Sequence, residues 1–561
     1  MSTATHDERL DRRVHELIAT DPQFAAAQPD PAITAALEQP GLRLPQIIRT
    51  VLDGYADRPA LGQRVVEFVT DAKTGRTSAQ LLPRFETITY GEVAQRVSAL
   101  GRALSDDAVH PGDRVCVLGF NSVDYATIDM ALGAIGAVSV PLQTSAAISS
   151  LQPIVAETEP TLIASSVNQL SDAVQLITGA EQAPTRLVVF DYHPQVDDQR
   201  EAVQDAAARL SSTGVAVQTL AELLERGKDL PAVGEPPADE DSLALLIYTS
   251  GSTGAPKGAM YPQSNVGKMW RRGSKNWFGE SAASITLNFM PMSHVMGRSI
   301  LYGTLGNGGT AYFAARSDLS TLLEDLELVR PTELNFVPRI WETLYGEFQR
   351  QVERRLSESG DAGERRAVEA EVLAEQRQYL LGGRFTFAMT GSAPIAGAAQ
   401  LGRVAARNAP DGRLRLHRGR NGVVRRGDSA PAGDRLQAGR RAGPGLLQHR
   451  PAASARRAAA AHREHVPGLL QAGRNHRGRL RRGRLLPHRR RVRRDRPGPA
   501  GLRRPPQQRA QAGAGRIRHA GQAGGGVRQQ PADPPDLRLR QQRPALPAGG
   551  RGAHRGGAGL G

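Results

Sequence analysis

The apolar positions change period repeatedly along the chain, and the changes mark out elements. Over residues 1–45, Leu10, Val14, Leu17 and Ile18 recur at helical spacing, and Asp30–Pro31 breaks the pattern. Pro45–Leu61 reads as a helix and turn leading into a main domain. Phe85–Tyr90 (FETITY) alternates as a strand does, and Gly91–Ser105 returns to the helical period. Arg114–Gly119 (RVCVLG) is a short unbroken apolar run, which suits a parallel strand covered on both faces. Asp124–Ile135 reads as a helix and Ala137–Pro141 as a strand, and Thr161–Ala164 and Arg186–Phe190 continue the alternation. Asp197–Asp229 is polar with a helical pattern and predicts a peripheral segment. Leu243–Ile247 and Phe385–Met389 are further apolar strands, and the charged helical pattern of Arg350–Gln378 predicts a solvated insertion. Repeated strand–helix alternation predicts an α/β fold with mostly parallel sheets and flanking helices.

This patterning stops near Gln400. Residues 401–561 contain no Lys, Thr, Met, Cys, Phe, Tyr or Trp, one Ile (Ile517), two Ser and three Asn. A segment with almost nothing large and apolar except Leu predicts a disordered Arg/Gly/Pro-rich tail. The formal charge of +16 divides at the same place. The tail has 38 Arg against seven Asp and Glu, a net +31, and the first 400 residues carry −15. Such a division excludes a uniformly basic nucleic-acid binder. One cysteine, Cys116, excludes a disulfide framework and a cysteine-based metal cluster. It lies in an apolar run and reads as a buried small residue. MSTATHDERLDRR has no apolar core and is not a signal peptide, and no run approaches the ~20 apolar residues of a membrane span, so a cytoplasmic location is expected.

Two readings of the tail compete. One is a basic nucleic-acid-binding tail on a degenerate domain. The other is a slipped reading frame. The absent and scarce residue types share codons beginning with A or T, whereas the abundant ones can all be written with G or C first. In a GC-rich gene, third codon positions read as first positions give this alphabet and make stop codons rare. Nucleic-acid binding accounts for the Arg, but not for the joint loss of Thr and Lys.

The chemistry-bearing motif is Ser242–Gly258 (SLALLIYTSGSTGAPKG), an apolar strand running into hydroxyls and glycines with a lysine following. Glycine permits close backbone approach to a phosphate, and Ser and Thr hydroxyls donate to its oxygens. The string is not a Walker loop, because Ala255 and Pro256 separate Gly254 from Lys257.

YTSGSTGAPKG resembles the phosphate loop of adenylate-forming enzymes: acyl-CoA synthetases, non-ribosomal peptide adenylation domains and luciferases. Ala259–Arg298 (AMYPQSNVGKMWRR…SKNWFG…SITLNFMPMSHVMGR), Phe336–Tyr345 (FVPRIWETLY) and Phe387–Ile395 (FAMTGSAPI) are similar to the adenylation domain of mycobacterial-type carboxylic acid reductases, also labelled fatty-acid–CoA ligases. The resemblance covers about residues 8–396. It implies a helical extension over 1–45, an AMP-binding domain over 46–396 and an out-of-frame tail over 397–561.

By the same resemblance, Thr249, Ser250, Gly251, Ser252, Thr253, Gly254 and Lys257 contact the ATP phosphates. His294 contacts acyl or phosphate oxygens, and His294 and Lys257 are the catalytic candidates. Gly391, Ser392 and Ala393 lie against adenine and the acyl group, and Trp341 reads as a core aromatic. ATP and Mg²⁺ are the implied cofactors, and no metal ligand is assigned within the intact part. The implied reaction joins a fatty or aromatic acid to AMP and passes the acyl group to a thiol. That thiol is CoA in a ligase. In a full-length reductase it is a carrier phosphopantetheine, followed by NADPH-dependent release, and neither domain is read in this chain.

Dropping the first base of each tail codon tests the frame. Asp411–Asn421 can then read MDGYGSTEAG, Asp434–Arg450 IDYKLVDVPDLGYFSTD, Leu485–Arg491 YYRTGDV, and Gly501–Ile517 VYVDRRNNVLKLAQGEF. Four ordered stretches in one frame are similar to the same family, which places the slip near Ala396–Arg403.

Overall fold

The computed structural model describes residues 6–237, 239–250, 256–271, 283–359 and 365–390, together with residues 423–424 and 469–470. Its strands, in chain order, are β1 (Pro59–Thr70), β2 (Thr77–Thr89), β3 (Arg114–Leu118), β4 (Val138–Leu142), β5 (Leu162–Ser166), β6 (Arg186–Phe190), β7 (Ala216–Thr219), β8 (Leu243–Ser250), β9 (Pro256–Pro262), β10 (Ile285–Asn288), β11 (Thr310–Phe313), β12 (Glu333–Phe336), β13 (Phe387–Thr390), β14 (Val423–Val424) and β15 (Leu469–Leu470).

The largest sheet has the order β15-β9-β8-β4-β3-β5-β6-β7. From β8 to β7 every pairing is parallel, whereas β8–β9 and β9–β15 are antiparallel. The unbroken apolar runs follow from burial on both faces. On β3, Val115 and Val117 enter one core while Cys116 and Leu118 enter another. On β6, Val188 and Phe190 join the first core and Leu187 and Val189 the second. Because side chains alternate across a strand, a strand between two helical layers must be apolar at every position. Burial also pushes the Cys116 thiol up to about 12, so it packs as a small apolar group.

Helices Tyr90–Asp106 and Val123–Ile135 cover one face of this sheet. The first begins in a capping box: Glu92 N–H donates to Thr89 Oγ1 (3.1 Å) and Thr89 N–H to Glu92 Oε2 (2.7 Å). A second sheet, β10-β11-β1-β2, and a third, β12-β13-β14, complete the described strands. Their inner face joins helices Leu322–Val329, Pro338–Ser359 and Arg365–Glu375 in a separate core.

The elements differ from the sequence expectations in four places. Helix Leu44–Gly54 and the turn after it agree with the reading of Pro45–Leu61, but the long antiparallel pair β1–β2 that follows was not expected, and the strand read at Phe85–Tyr90 is only the last part of β2. Asp197–Asp229 divides into helix Asp197–Leu210, edge strand β7 and helix Leu220–Asp229. The expected solvated insertion is partly core, since Val352, Val368 and Val372 are buried. Finally, residues 423–424 pair with Ala388–Met389, and residues 469–470 with Gly258–Ala259. The rest of the segment expected to be disordered lies outside the described residues.

The N-terminal helices are not a separate layer. Leu17 and Phe24 enter the core of the second and third sheets, while Ile18 is exposed. The attachment is ionic as well as apolar. Arg384, buried, donates to Asp21 Oδ2 (2.9 Å), Gln23 Oε1 (2.7 Å) and the Val329 carbonyl (3.0 Å). Asp21 in turn caps helix Pro22–Ala26 through the Phe24 N–H (3.0 Å). Burial alone would raise the Asp21 pKa, but the Phe24 N–H and Arg384 outweigh it and hold the carboxyl below its usual range. Removing the guanidinium takes the nearest cation from Asp21, leaving it the Phe24 N–H and Arg330 at 3.9 Å, so Arg384→Ala is expected to cost about 3 kcal/mol. The N-terminal helices should then become protease-sensitive, which limited proteolysis followed by mass mapping checks. Asp21 stabilises the fold above the usual carboxylate range, and that contribution is lost as pH falls through its lowered pKa.

Candidate active site

The two ends of the Ser/Thr/Gly motif lie on paired antiparallel strands. β8 extends to Ser250 and β9 begins at Pro256, with Tyr248 opposite Gly258, Thr249 opposite Lys257 and Ser250 opposite Pro256. Lys257 is therefore fixed on a strand. Gly251, Ser252, Thr253 and Gly254 lie outside the described residues, as do Gly391, Ser392 and Ala393. Directly opposed residues of an antiparallel pair share a face, so Thr249 and the half-buried Lys257 project together. Tyr248 occupies the other face. A Cβ at residue 258 would stand 3.0 Å from its ring, which is why the motif ends in Gly258. The Tyr248 hydroxyl donates to Glu157 Oε2 (3.1 Å), and burial, reinforced by that carboxylate, raises its pKa. This bond ties the hairpin to helix Ile148–Thr158.

His294 lies beyond the C-terminal end of β10, at the N-cap of helix Val295–Gly306. Its Nδ1 accepts from the Met296 N–H (3.2 Å), so the neutral ring carries its proton on Nε2. The residue is exposed, yet the packed atoms around it lower its pKa by desolvation. His294 is thus an oriented donor that is neutral at pH 7. The helix it caps is anchored by Arg298. That buried guanidinium pairs with Asp129, and Asp129 also accepts from Tyr302. Sequence reasoning stopped at His294 and missed Arg298, Asp129, Tyr302 and Asn121. The available signal was an arginine four residues along an otherwise apolar helix.

In the large sheet, β4 and β5 flank β3 on opposite sides. The chain reverses its direction of winding there, and ligands of open α/β sheets bind beyond the strand ends at such a point. The segment after β3 meets the segment after β10 here, through Asn121 and Met290. Among the described residues no group of three or more His, Cys, Asp or Glu side chains could hold a metal ion. Trp341 is buried against Phe336, as a core aromatic. No helix among the described residues is long and apolar enough to cross a membrane.

The AMP-binding enzyme family matches residues 66–406, and the chain belongs to that family. It is 64% identical over 403 residues to a carboxylic acid reductase of Mycobacterium marinum, a match covering 70% of this chain and 34% of the relative. The chain thus spans about a third of the length of these curated relatives. Among solved structures it is similar to the adenylation domain of a carboxylate reductase from Mycobacterium chelonae, with 42% identity and a TM-score of 0.67, covering 72% of this chain and 62% of that one. It is also similar to the adenylation domain of a carboxylic acid reductase from Segniliparus rugosus in complex with AMP and a co-purified carboxylic acid. That likeness has 45% identity and a TM-score of 0.65, covering 70% of this chain and 63% of that one. The α/β adenylation-domain fold is therefore that of this chain.

Proposed function

We propose that residues 46–396 are the ATP- and acid-binding part of an enzyme that adenylates a fatty or aromatic carboxylic acid. The observation that carries this reading is the likeness to an adenylation domain solved with AMP and a carboxylic acid. A carboxylate oxygen attacks the α-phosphorus of ATP, the bond to the β-phosphate oxygen breaks, and acyl-AMP and pyrophosphate result. The step calls for charge neutralisation and in-line positioning more than for a proton shuttle. Lys257, Thr249 and the stretch Ser250–Gly254 hold the phosphates. His294 Nε2–H donates to an oxygen of the acyl or phosphoryl group. Gly391, Ser392 and Ala393 line the adenine and acyl side. Mg²⁺ arrives with the nucleotide. The acyl group then passes to a thiol, that of CoA or of a carrier phosphopantetheine, and in a full-length reductase NADPH releases the aldehyde.

We further propose that the chain leaves its proper frame near Ala396–Arg403. Two independent observations support this. The family match stops at residue 406, and the residue alphabet changes at about residue 400. Sequencing the gene across this region is the direct test.

In the frame-corrected protein, Lys257→Ala, Ser250→Ala and His294→Ala should each slow acyl-AMP formation. A charge-assisted hydrogen bond is worth about 1.5–3 kcal/mol, so the Lys257 loss should fall at roughly 10- to 150-fold. Pyrophosphate exchange at the wild-type rate in all three variants would remove these assignments. The tautomer adds a pH test. Protonating His294 destroys the Nδ1 acceptor for Met296, and desolvation has lowered its pKa. The acid limb of the rate profile should therefore lie below the ordinary histidine range of about 6.5 and vanish in His294→Gln.

A further inference from the structure

We propose that Asn121 is a positioning residue for adenylation, which sets His294 by clamping the five-residue approach to it. The inference rests on the reading of His294 as a site residue. Asn121 follows β3 by three residues and is buried. Its side-chain amide makes both bonds that a neighbouring strand would make. Nδ2 donates to the Met290 carbonyl (2.6 Å), and Oδ1 accepts from the Met292 N–H (3.1 Å). The segment from Met290 to His294 belongs to a different sheet in chain order, following β10. One side chain therefore joins the strand ends of two sheets at the point where the larger sheet changes its direction of winding.

Three further contacts leave this segment little freedom. The Met292 carbonyl, just beyond the two Asn121 bonds in the chain, accepts from Arg298 Nε (2.7 Å). The His294 N–H closes a turn on the Pro291 carbonyl (2.9 Å). Helix Val295–Gly306 packs directly against the segment, and a Cβ at Gly297 would stand 2.4 Å from the Pro291 oxygen and 2.5 Å from the Met290 oxygen. The Met290 carbonyl and both main-chain polar groups of Met292 are satisfied by the buried side chains of Asn121 and Arg298, and the His294 side chain is left exposed at the end of the segment. A buried Asn spending both ends of its amide on main chain two residues ahead of a candidate catalytic side chain is an orienting device. Asn121 touches neither acid nor nucleotide in this account.

The test uses the frame-corrected chain, with ATP–pyrophosphate exchange in His294→Ala, Asn121→Ala, Asn121→Asp and the His294→Ala/Asn121→Ala double variant. A misplacement of about 1 Å can cost on the order of 100-fold. Asn121→Ala should lower kcat by that order, with KM for ATP unchanged within about twofold, and should add less than about threefold in the His294→Ala background. Asn121→Asp keeps the acceptor for Met292 and sets a carboxylate oxygen against the Met290 carbonyl. It should lose rate similarly and serves if the alanine variant fails to fold. An equal loss with and without His294 would overturn the proposal while leaving His294 in the site. A silent His294→Ala would instead remove the site reading. A readout free of activity uses the 561-residue polypeptide itself, labelled with ¹⁵N-histidine. The His294 signals, identified by their loss in His294→Ala, should show unprotonated Nδ1 in the parent and a tautomer mixture in Asn121→Asp. An unchanged spectrum there would also overturn the proposal.

Discussion

ATP–pyrophosphate exchange should be absent from the 561-residue polypeptide and present in the frame-corrected one. The shifted frame holds three stretches that the family resemblance assigns to the nucleotide. MDGYGSTEAG carries an aromatic for the adenine side and a glutamate suited to Mg²⁺. YYRTGDV carries an aspartate for the ribose hydroxyls. VLKLAQGEF is the hinge into a small C-terminal lid. In the chain as it stands, Leu414–Arg420 and Leu485–Arg490 occupy the first two places with Leu, Arg, His, Gly and Pro. Two acids give way to neutral or basic residues, and each lost charge-assisted contact is worth about 1.5–3 kcal/mol. Together they cost on the order of 10²–10⁴ in rate before the missing lid is counted. The measurement is exchange with a panel of fatty and aromatic acids on both polypeptides. Comparable turnover would show that the tail is genuine. Salt-dependent nucleic-acid binding by a peptide of residues 401–561 would then favour the basic-tail alternative. Apolar surface left uncovered in the shorter packed region should also make the 561-residue chain the more aggregation-prone of the two.

The large sheet was legible in the sequence because its strands are buried on both faces. Arg114–Gly119 and Arg186–Phe190 read as apolar strands for that reason, and the observed strands match them within a residue. What escaped notice was half-exposed. β7 is a four-residue edge strand between two helices, with no apolar run to mark it. β2 alternates over a long exposed stretch, and only its inner end is apolar enough to be seen. The candidate phosphate-binding stretch was singled out by its residue types, but periodicity could not show that Lys257 stands on a strand across from Thr249. His294 was found through a motif. The groups that orient it are scattered over residues 121, 129 and 298, and only the folded chain brings them together.

Asp129→Ala should be among the most destabilising single changes in the packed region. Asp129, on helix Val123–Ile135, is 3% exposed at its side chain, and Arg298 is 1% exposed. Asp129 Oδ1 accepts from Ser139 Oγ (2.6 Å) on β4, while Oδ2 receives Arg298 and the Tyr302 hydroxyl. Tyr302 in turn stacks on the Trp270 ring, with centroids 4.7 Å apart at 12°. Removing the carboxylate leaves a guanidinium and two hydroxyls short of their acceptor in a site without bulk water, a loss of about 3–5 kcal/mol. The thermal midpoint should fall by several degrees. Asp129→Leu combined with Arg298→Met should recover most of that loss, because no ion then remains buried. The same double variant also removes the Arg298 Nε bond to the Met292 carbonyl, and with it one of the supports of the His294 approach. Its frame-corrected form should therefore regain stability without regaining adenylation. Scanning calorimetry and pyrophosphate exchange on the same preparations separate the two effects. Full recovery of both would reduce the Asp129–Arg298 pair to a packing element, and recovery of neither would mean that the shape of the ion pair matters more than its charge.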